Sequence, residues 1–593
     1  MNYIIQQALT VAGGEVNENA NKDSRVLNVQ RDLIAGVVSK EWVKASYPAE
    51  LTETNRVHIH DQDYLFQSYT NCCLFDLGEC LDNGTVINGV KIGTPNSLRV
   101  AATITTQLVA TVAAQQYGGV SVHGVDTTLA KYAAKSYNKH LSFAETRLGL
   151  EPVNCHHYAD KMTLLEIKDS IQSLTYQINT LALANGQSAF VTIGFGADSS
   201  KWAKAITEAI LRDRIAGIGI DGVTPTFPKL IYHVKAGINL HQDDPDYHLT
   251  LLAAECSSKR MYPDIISDDK AIEQYGYTYT PMGCRSVPLQ YEHSNGKLTI
   301  NGSLNLGVVS INLPLIAQTV THCMHPQEAF ISELHKSIDL VEKAHLTRLE
   351  RLQTVRAGVA PLLWQHGGLG LRLGAEDLIY PHLSGRATVS VGYIGFSNVC
   401  EMMFGDDHYQ HSDFVKCVLG IINERAEAFT TKHNIKMSVY GTPAESLCGK
   451  WSDDYYVNSF HTKPNKKVNP FDRLSFESQF VPLSGGGHIV YVELGDVRHN
   501  LPALITLWQH GAACTPYFAV NTNADTCLSC GYDGALVLTE TEARCPACGE
   551  THPEKLNVLR RVSGYLTVVK NTGGKHSVNS SKLKEMLDRV KND

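Results

Sequence analysis

The chain has 593 residues, 43% of them hydrophobic and 19% charged, an ordinary composition for an enzyme with a large buried core. Its net charge of -8 gives no support for a polyanion-binding protein, which carries a basic surplus or a local basic stripe. The amino terminus lacks a charged-then-apolar leader, and no apolar run reaches about 18 residues, so a cytoplasmic protein without a membrane span is expected.

Taken in order, the segment from Ser97 to Ala144 predicts two helices separated by a Gly-containing turn, with apolar and small residues recurring on the same faces. Such helices suit close packing, either within the chain or across a dimer. Further helical stretches at Leu164–Leu183, Lys201–Arg214 and Pro326–Leu349 alternate with β-rich runs at Ser188–Gly194, Val308–Pro314, Lys436–Tyr440 and His488–Leu494. That alternation implies an α/β architecture with a barrel or mixed sheet. There is no internal repeat. A compositional shift near Asn521 divides the chain into a core, 1–514, and a small carboxyl-terminal module, 515–593.

The shift marks two cysteine knuckles, Cys527-Leu-Ser-Cys530 and Cys545-Pro-Ala-Cys548, separated by fourteen residues. Each pair puts two thiolates on one tight turn, and two such turns can close a tetrahedral sulfur shell around zinc. With no open coordination position, the site would be structural; a redox dithiol is the other reading. Fifteen cysteines, an odd number without a leader, argue against a disulfide scaffold.

Sixteen residues beyond Cys548 stands Gly564, in Arg561-Val-Ser-Gly564-Tyr565-Leu566. In a β-rich stretch such a glycine is ordinarily a bulge or turn residue. Loss of one Cα hydrogen from glycine also leaves a planar radical delocalised over both adjacent peptides, with no side chain to oppose planarity. The Arg561-Val-Ser-Gly-Tyr565 motif resembles the radical motif of glycyl-radical enzymes. A four-cysteine knuckle just upstream is similar to the anaerobic ribonucleotide reductase branch. Asn17-Glu-Asn-Ala-Asn-Lys-Asp23, His58-Ile-His-Asp61, Gln116-Tyr-Gly-Gly119 and Tyr440-Gly-Thr-Pro-Ala-Glu-Ser446 resemble further blocks of that branch. The resemblance spans about residues 15 to 570, and implies a ten-stranded α/β barrel carrying a small zinc-ribbon module.

It also implies a chemistry: removal of the 2′-hydroxyl of ribonucleoside triphosphates, begun by a thiyl radical that takes the 3′ hydrogen. That needs a radical-carrying cysteine, a second thiol as hydrogen donor, and polar groups that orient the ribose. Cys284, in Thr280-Pro-Met-Gly-Cys-Arg-Ser286, resembles the thiyl cysteine of the family's finger loop; a lone cysteine is otherwise an inert apolar residue. Asn71-Cys72-Cys73-Leu-Phe-Asp76 resembles the strand bearing the reducing thiol. Cys72 is the aligned residue, and Cys73 would face the opposite side of a strand. Asn71 is a substrate-binding candidate from the same block. Asn305 matches an asparagine near the substrate hydroxyls, although a single asparagine is commonly a turn or cap residue. An amide rather than a carboxylate there resembles the subgroup that uses formate as external reductant. Tyr440, Gly441, Thr442 and Ser446, at the end of a β run expected to lead into a helix, form a candidate triphosphate cradle. Ser484-Gly-Gly-Gly487 lacks the Lys and spacing of a Walker loop and reads as a turn against the barrel wall.

The Asn17–Asp23 block begins too early to admit an amino-terminal ATP cone, so no on/off site of that type is expected. By resemblance a deoxynucleotide or ATP effector binds at a homodimer interface near the 97–144 helices, with Gln107 and Lys139 as candidates. The sequence has no CxxxCxxC, so a separate radical S-adenosylmethionine activating enzyme is implied. Two alternatives stand beside this reading. One is a glycyl-radical enzyme of the formate-lyase or dehydratase type. The other is a zinc-ribbon nucleic-acid-binding protein, which the scattered lysines of the tail (Lys570, Lys575, Lys582, Lys584) do not favour.

Overall fold

Ten short, largely apolar segments pair edge to edge into one closed sheet. The computed structural model describes residues 40–589, except 63, 66–67, 182–187, 294–295, 453, 563 and 573–574. The Asn17–Asp23 block lies outside the described residues.

The barrel strands are β1 (Cys72–Leu74), β2 (Val120–Val122), β3 (Val191–Phe195), β4 (Lys229–Val234), β5 (Asp264–Ser267), β6 (Leu304–Asn312), β7 (Ala387–Ile394), β8 (Lys436–Gly441), β9 (Val490–Glu493) and β10 (Tyr517–Asn521). Strands β1 to β5 are mutually parallel in chain order. Strands β6, β7 and β8 are parallel, as are β9 and β10. The two sets meet antiparallel at β6–β1 and β10–β5. The ring closes where Gly441 N–H donates to Gly487 O at 3.0 Å and Gly486 N–H to Val439 O at 2.7 Å. The Ser484–Gly487 segment is therefore barrel wall. A short strand, Val57–Ile59, pairs antiparallel with the far end of β6.

Parallel neighbours require crossovers, and helices supply them. These are α1 (Leu98–Ala114), α2 (Val125–Phe143), α3 (Pro152–Thr180), α4 (Lys201–Ala216), α5 (Tyr247–Arg260), α6 (Pro326–Leu352), α7 (Ser412–His433) and α8 (Leu501–Cys514). Strands covered on both faces show no polar alternation: β3, β4, β5 and β7 are buried at every position.

Three expectations need correction. The two helices of the 97–144 segment are separated by barrel strand β2, not by a turn alone. The run Val308–Pro314 is strand only to Asn312, because Leu313 and Pro314 open a helix whose cap is the Asn312 side chain, accepting from Leu315 N–H at 3.2 Å. The helix predicted from Leu164 begins at Pro152, where proline occupies the first turn and has no N–H to lose.

The last barrel strand, β10, lies beyond residue 514, so the sheet extends past the expected boundary. Beyond it, β11 (Asp525–Cys527), β12 (Leu556–Arg561) and β13 (Leu566–Val569) form a small sheet with Asp533–Gly534, followed by α9 (Ser580–Leu587).

Candidate active site

The segment Thr280–Ser286 runs through the inside of the barrel. Its tip is a tight reversal, with Met282 and Ser286 exchanging backbone hydrogen bonds of 2.7 and 3.2 Å around Gly283 at φ +59°. Both half-barrels grip it. Gly283 N–H donates to Ser121 Oγ at 3.0 Å, Thr192 Oγ1 to Gly283 O at 3.1 Å, and Lys229 Nζ to Cys284 O at 2.8 Å. On the other side, Arg285 donates to Gly441 O and to the Tyr491 hydroxyl, each at 3.1 Å. The Cys284 Sγ lies 3.4 Å from the Tyr440 hydroxyl.

Cys72 faces the same space from β1, while Cys73 is fully buried in the surrounding core, as strand alternation requires. The Cys72 thiol receives Gly119 N–H at 3.1 Å and donates to Asn71 Oδ1 at 3.2 Å. Burial, reinforced by Cys284, pushes it well above the usual thiol range, so it stays a thiol with a hydrogen to give. Room for this arrangement comes from glycines. A methyl on Gly118 would sit 2.1 Å from Asn71 Oδ1 and 2.5 Å from Cys72 Sγ, and one on Gly119 would meet Gly283 Cα at 2.6 Å.

Asn305 borders the same space from β6. Its Nδ2 donates to Thr388 and Ser390, each at 2.9 Å, and its Oδ1 accepts from Gly307 N–H at 2.9 Å, holding the bulge between Asn305 and Val308. Both amide hydrogens are used, leaving one Oδ1 lone pair for another partner. Of the expected cradle, Tyr440 reaches the cavity. Gly441 and Thr442 do not: the Thr442 hydroxyl is buried at 2.7 Å from Ser310 Oγ. The stretch continues into a short 3-10 helix, Glu445–Gly449; the Ser446 side chain lies outside the described residues.

Gly564 arrives from the carboxyl-terminal module. Strands β12 and β13 form a hairpin whose tip, closed by Val562 N–H to Tyr565 O at 3.1 Å, enters the barrel. A methyl on Gly564 would stand 2.2 Å from Cys284 Cβ and 2.9 Å from its Cα. The glycine is thus both a turn residue and a direct neighbour of the finger-loop cysteine. Tyr565 packs its ring on Phe190 and Phe227, with centroids at 5.2 and 5.6 Å.

Asn71, Cys72, Cys284, Asn305, Tyr440 and Tyr565 line a cavity of about 240 Å³ that also takes in His60, Asp61, Tyr64, Tyr117, Pro443 and Glu445. Several of the latter stand in blocks the sequence singled out (His58–Asp61, Gln116–Gly119, Tyr440–Ser446) but are not themselves among the residues expected in the site. Lys229 and Asp264 are not foreseen; their one sequence signal is a charged residue opening a strand that is buried along its length.

The sulfurs of Cys527, Cys530, Cys545 and Cys548 lie within 4.8 Å of one another, with two pairs at 3.7 Å. A tetrahedral shell with Zn–S of about 2.3 Å separates its sulfurs by about 3.8 Å. The cluster fits zinc. Gln107 on α1 and Lys139 on α2 are exposed, and neither lines the cavity. Leu98 N–H donates to Ser136 Oγ at 2.9 Å, so Lys139 lies near the start of α1, whereas Gln107 is nine residues along it. That is roughly 13 Å of helix rise.

The family profile for anaerobic ribonucleoside-triphosphate reductase matches residues 18–592. The anaerobic ribonucleoside-triphosphate reductase of Enterobacteria phage T4 is 39% identical, over 97% of this chain and 97% of its own length. That of Escherichia coli strain K12 is 37% identical, over 97% of this chain and 83% of its own. The chain belongs to the anaerobic ribonucleoside-triphosphate reductase family. It is an oxidoreductase that reduces ribonucleoside triphosphates, and the nucleic-acid-binding and lyase readings fall away. Solved structures agree in fold. The anaerobic ribonucleotide reductase of Thermotoga maritima in complex with dATP and CTP has a TM-score of 0.64 at 17% identity, covering 92% of this chain and 91% of that one. A glycyl radical enzyme from Archaeoglobus fulgidus gives 0.52 at 11% identity, covering 95% and 74%. Among the described residues no helix is long and apolar enough to cross a membrane.

Proposed function

We propose that Gly564 stores an unpaired electron, Cys284 carries it to the substrate as a thiyl radical, and Cys72 is the reducing thiol. The observation that carries this reading is the contact of Gly564 with Cys284 inside the barrel, with the Cys72 thiol beside Gly283 at the same loop tip. The Gly564 radical takes hydrogen from the Cys284 thiol. The thiyl then takes the ribose 3′ hydrogen, the proton of the 3′-hydroxyl passes to the 2′-hydroxyl, which leaves as water, and Cys72 gives a hydrogen atom to C2′, leaving a 3′-ketone and a Cys72 thiyl. Formate gives its hydrogen atom to that thiyl, and the carbon dioxide radical anion left behind, with one proton, reduces the ketone to the 3′ radical and departs as carbon dioxide. At the end the 3′ hydrogen returns from Cys284. Asn71 and the free lone pair of Asn305 hold the ribose hydroxyls, and the Tyr440–Ser446 stretch receives the triphosphate end, through its backbone rather than through the Thr442 hydroxyl.

Formate, oxidised to carbon dioxide, is the external reductant; Asn305 supports this, being an amide where a thiol-dependent relay would use an acid. The radical is installed by a separate radical S-adenosylmethionine enzyme. A deoxynucleotide or ATP tunes substrate choice at a homodimer interface formed by α1 and α2, where Gln107 and Lys139 come from different subunits. The enzyme works in the cytoplasm. An anaerobic assay with activated enzyme tests the assignment. With formate, turnover is expected in wild type and Cys73→Ser, and a loss of at least a thousandfold in Cys284→Ser and Cys72→Ser. Turnover supported by a dithiol and not by formate would overturn the reductant. Full activity in Cys284→Ser would overturn the radical path.

A further inference from the structure

The two loops that meet at the radical pair are tied to one buried carboxylate. Asp264, at the start of β5, is fully buried. Its Oδ1 accepts from Arg561 Nη2 at 2.9 Å, and its Oδ2 from the Tyr517 hydroxyl at 3.0 Å. Oδ2 also lies 3.3 Å from Lys229 Nζ and 3.3 Å from Arg561 Nη1. Lys229, itself fully buried, donates to the carbonyl of Cys284 at 2.8 Å. Arg561 ends the strand that leads into the glycine hairpin, and is fixed further by Asn521 Oδ1 at 2.6 Å and Met261 O at 3.2 Å. Lys229 thus holds the finger loop by the backbone of its cysteine. Arg561 holds the glycine loop three residues before Gly564. Asp264 is their common anchor.

We propose that Lys229, Asp264 and Arg561 form a clamp that sets the spacing between Gly564 and Cys284, as positioning residues for hydrogen transfer between them. This rests on the reading of those two residues as the radical pair. The step is Gly564 Cα• + HS–Cys284 → Gly564 Cα–H + •S–Cys284, and it moves one hydrogen atom with no other reactant. Transfer between heavy atoms demands close approach, and a misplacement of about 1 Å can cost about a hundredfold in rate. A buried cation is itself costly, and burial draws the Lys229 ammonium down to about 8 although Asp264 opposes the shift. An apolar side chain would fill the space without that cost, so general packing does not explain a lysine there. A donor for the Cys284 carbonyl does.

The test reads the transfer itself. The thiol hydrogen exchanges with solvent, so in D2O reversible transfer places deuterium on Gly564, and the glycyl doublet collapses to a singlet in the electron paramagnetic resonance spectrum. Lys229→Met removes the tie to the finger loop while leaving the Arg561–Asp264 pair. It is expected to form the radical in wild-type yield, exchange ten- to a hundredfold more slowly, and lose kcat in proportion with an unchanged nucleotide KM. Asp264→Asn should do the same; if it fails to fold, Lys229→Met decides alone. Exchange at the wild-type rate in Lys229→Met, or a failure of that variant to form the radical, overturns the clamp. Turnover at the wild-type rate in Cys284→Ser would instead defeat the radical pair.

Discussion

At the scale of single residues, the site depends on side chains that are missing. Gly118, Gly119, Gly283 and Gly564 allow three backbone segments to converge where a β-carbon would overlap a sulfur, an oxygen or another backbone. Gly118→Ala would press its methyl on Asn71 Oδ1 and Cys72 Sγ, which are held by short hydrogen bonds and cannot both retreat. Turnover should fall at least tenfold with Tm changed by only a few degrees; anaerobic kinetics beside calorimetry check this, and unchanged kcat would show that the Cys72 position is slack. That Cys72, Cys284, Asn305 and Gly564 come together was foreseeable in the sequence, because each stands in a short motif that resembles a block of the family. Thr442 shows the limit: its motif marks the right strand, but which way the side chain points is settled by Ser310, 132 residues away.

At the scale of elements, the zinc knuckle and the glycine hairpin are one device. Cys527 ends β11, which pairs with β12, and β12 carries Arg561 into the hairpin. Asp525, buried on β11, accepts from Leu559 N–H at 2.7 Å and from Arg560 at 2.5 Å, locking the two strands together. Loss of the metal should therefore disorder delivery of Gly564 before it harms the barrel. A Cys545→Ser/Cys548→Ser protein is expected to lose its zinc by elemental analysis and at least nine-tenths of its glycyl radical, while the main thermal transition moves little. A full radical yield without zinc would separate the two functions. Helix starts were partly readable: Pro326 opens its helix where expected, whereas the helix expected from Leu164 starts a full three turns earlier, at Pro152. The three-residue strands β1 and β2 were not visible by periodicity, because three residues cannot display a period.

At the scale of the whole molecule, closure of the barrel buries ionisable groups that must stay neutral. Burial, aided by Lys450, His233 and Arg348 respectively, lowers His60, His123 and His345 from 6.5 to about 4. The unfolded chain then binds more protons than the folded one between pH 6.5 and 4, so stability is complete above 6.5 and is lost as pH falls through that window. Each such group contributes roughly 1.4 kcal/mol per pH unit across it. Melting temperature should drop steeply from pH 6.5 to 4, and a flat profile would show that water reaches these rings. His123 also lies 2.9 Å from Thr280 Oγ1 at the base of the finger loop, so activity should fall with the same midpoint or earlier. The α/β class was legible from the alternation of elements, which left barrel and mixed sheet open, and the barrel from the family resemblance. The order of strands was not, because antiparallel pairing of β1 with β6 and β5 with β10 joins segments that are hundreds of residues apart.

Storage of the unpaired electron on the Gly564 α-carbon is open to direct measurement. Activated anaerobically with a radical S-adenosylmethionine partner, the protein should give a glycine-centred doublet, and admitted air should then cut the chain at Gly564, releasing a small carboxyl-terminal peptide detectable by mass spectrometry. Gly564→Ala should give neither. An intact chain after air exposure of a spectroscopically activated sample, or a doublet persisting in Gly564→Ala, would contradict the account.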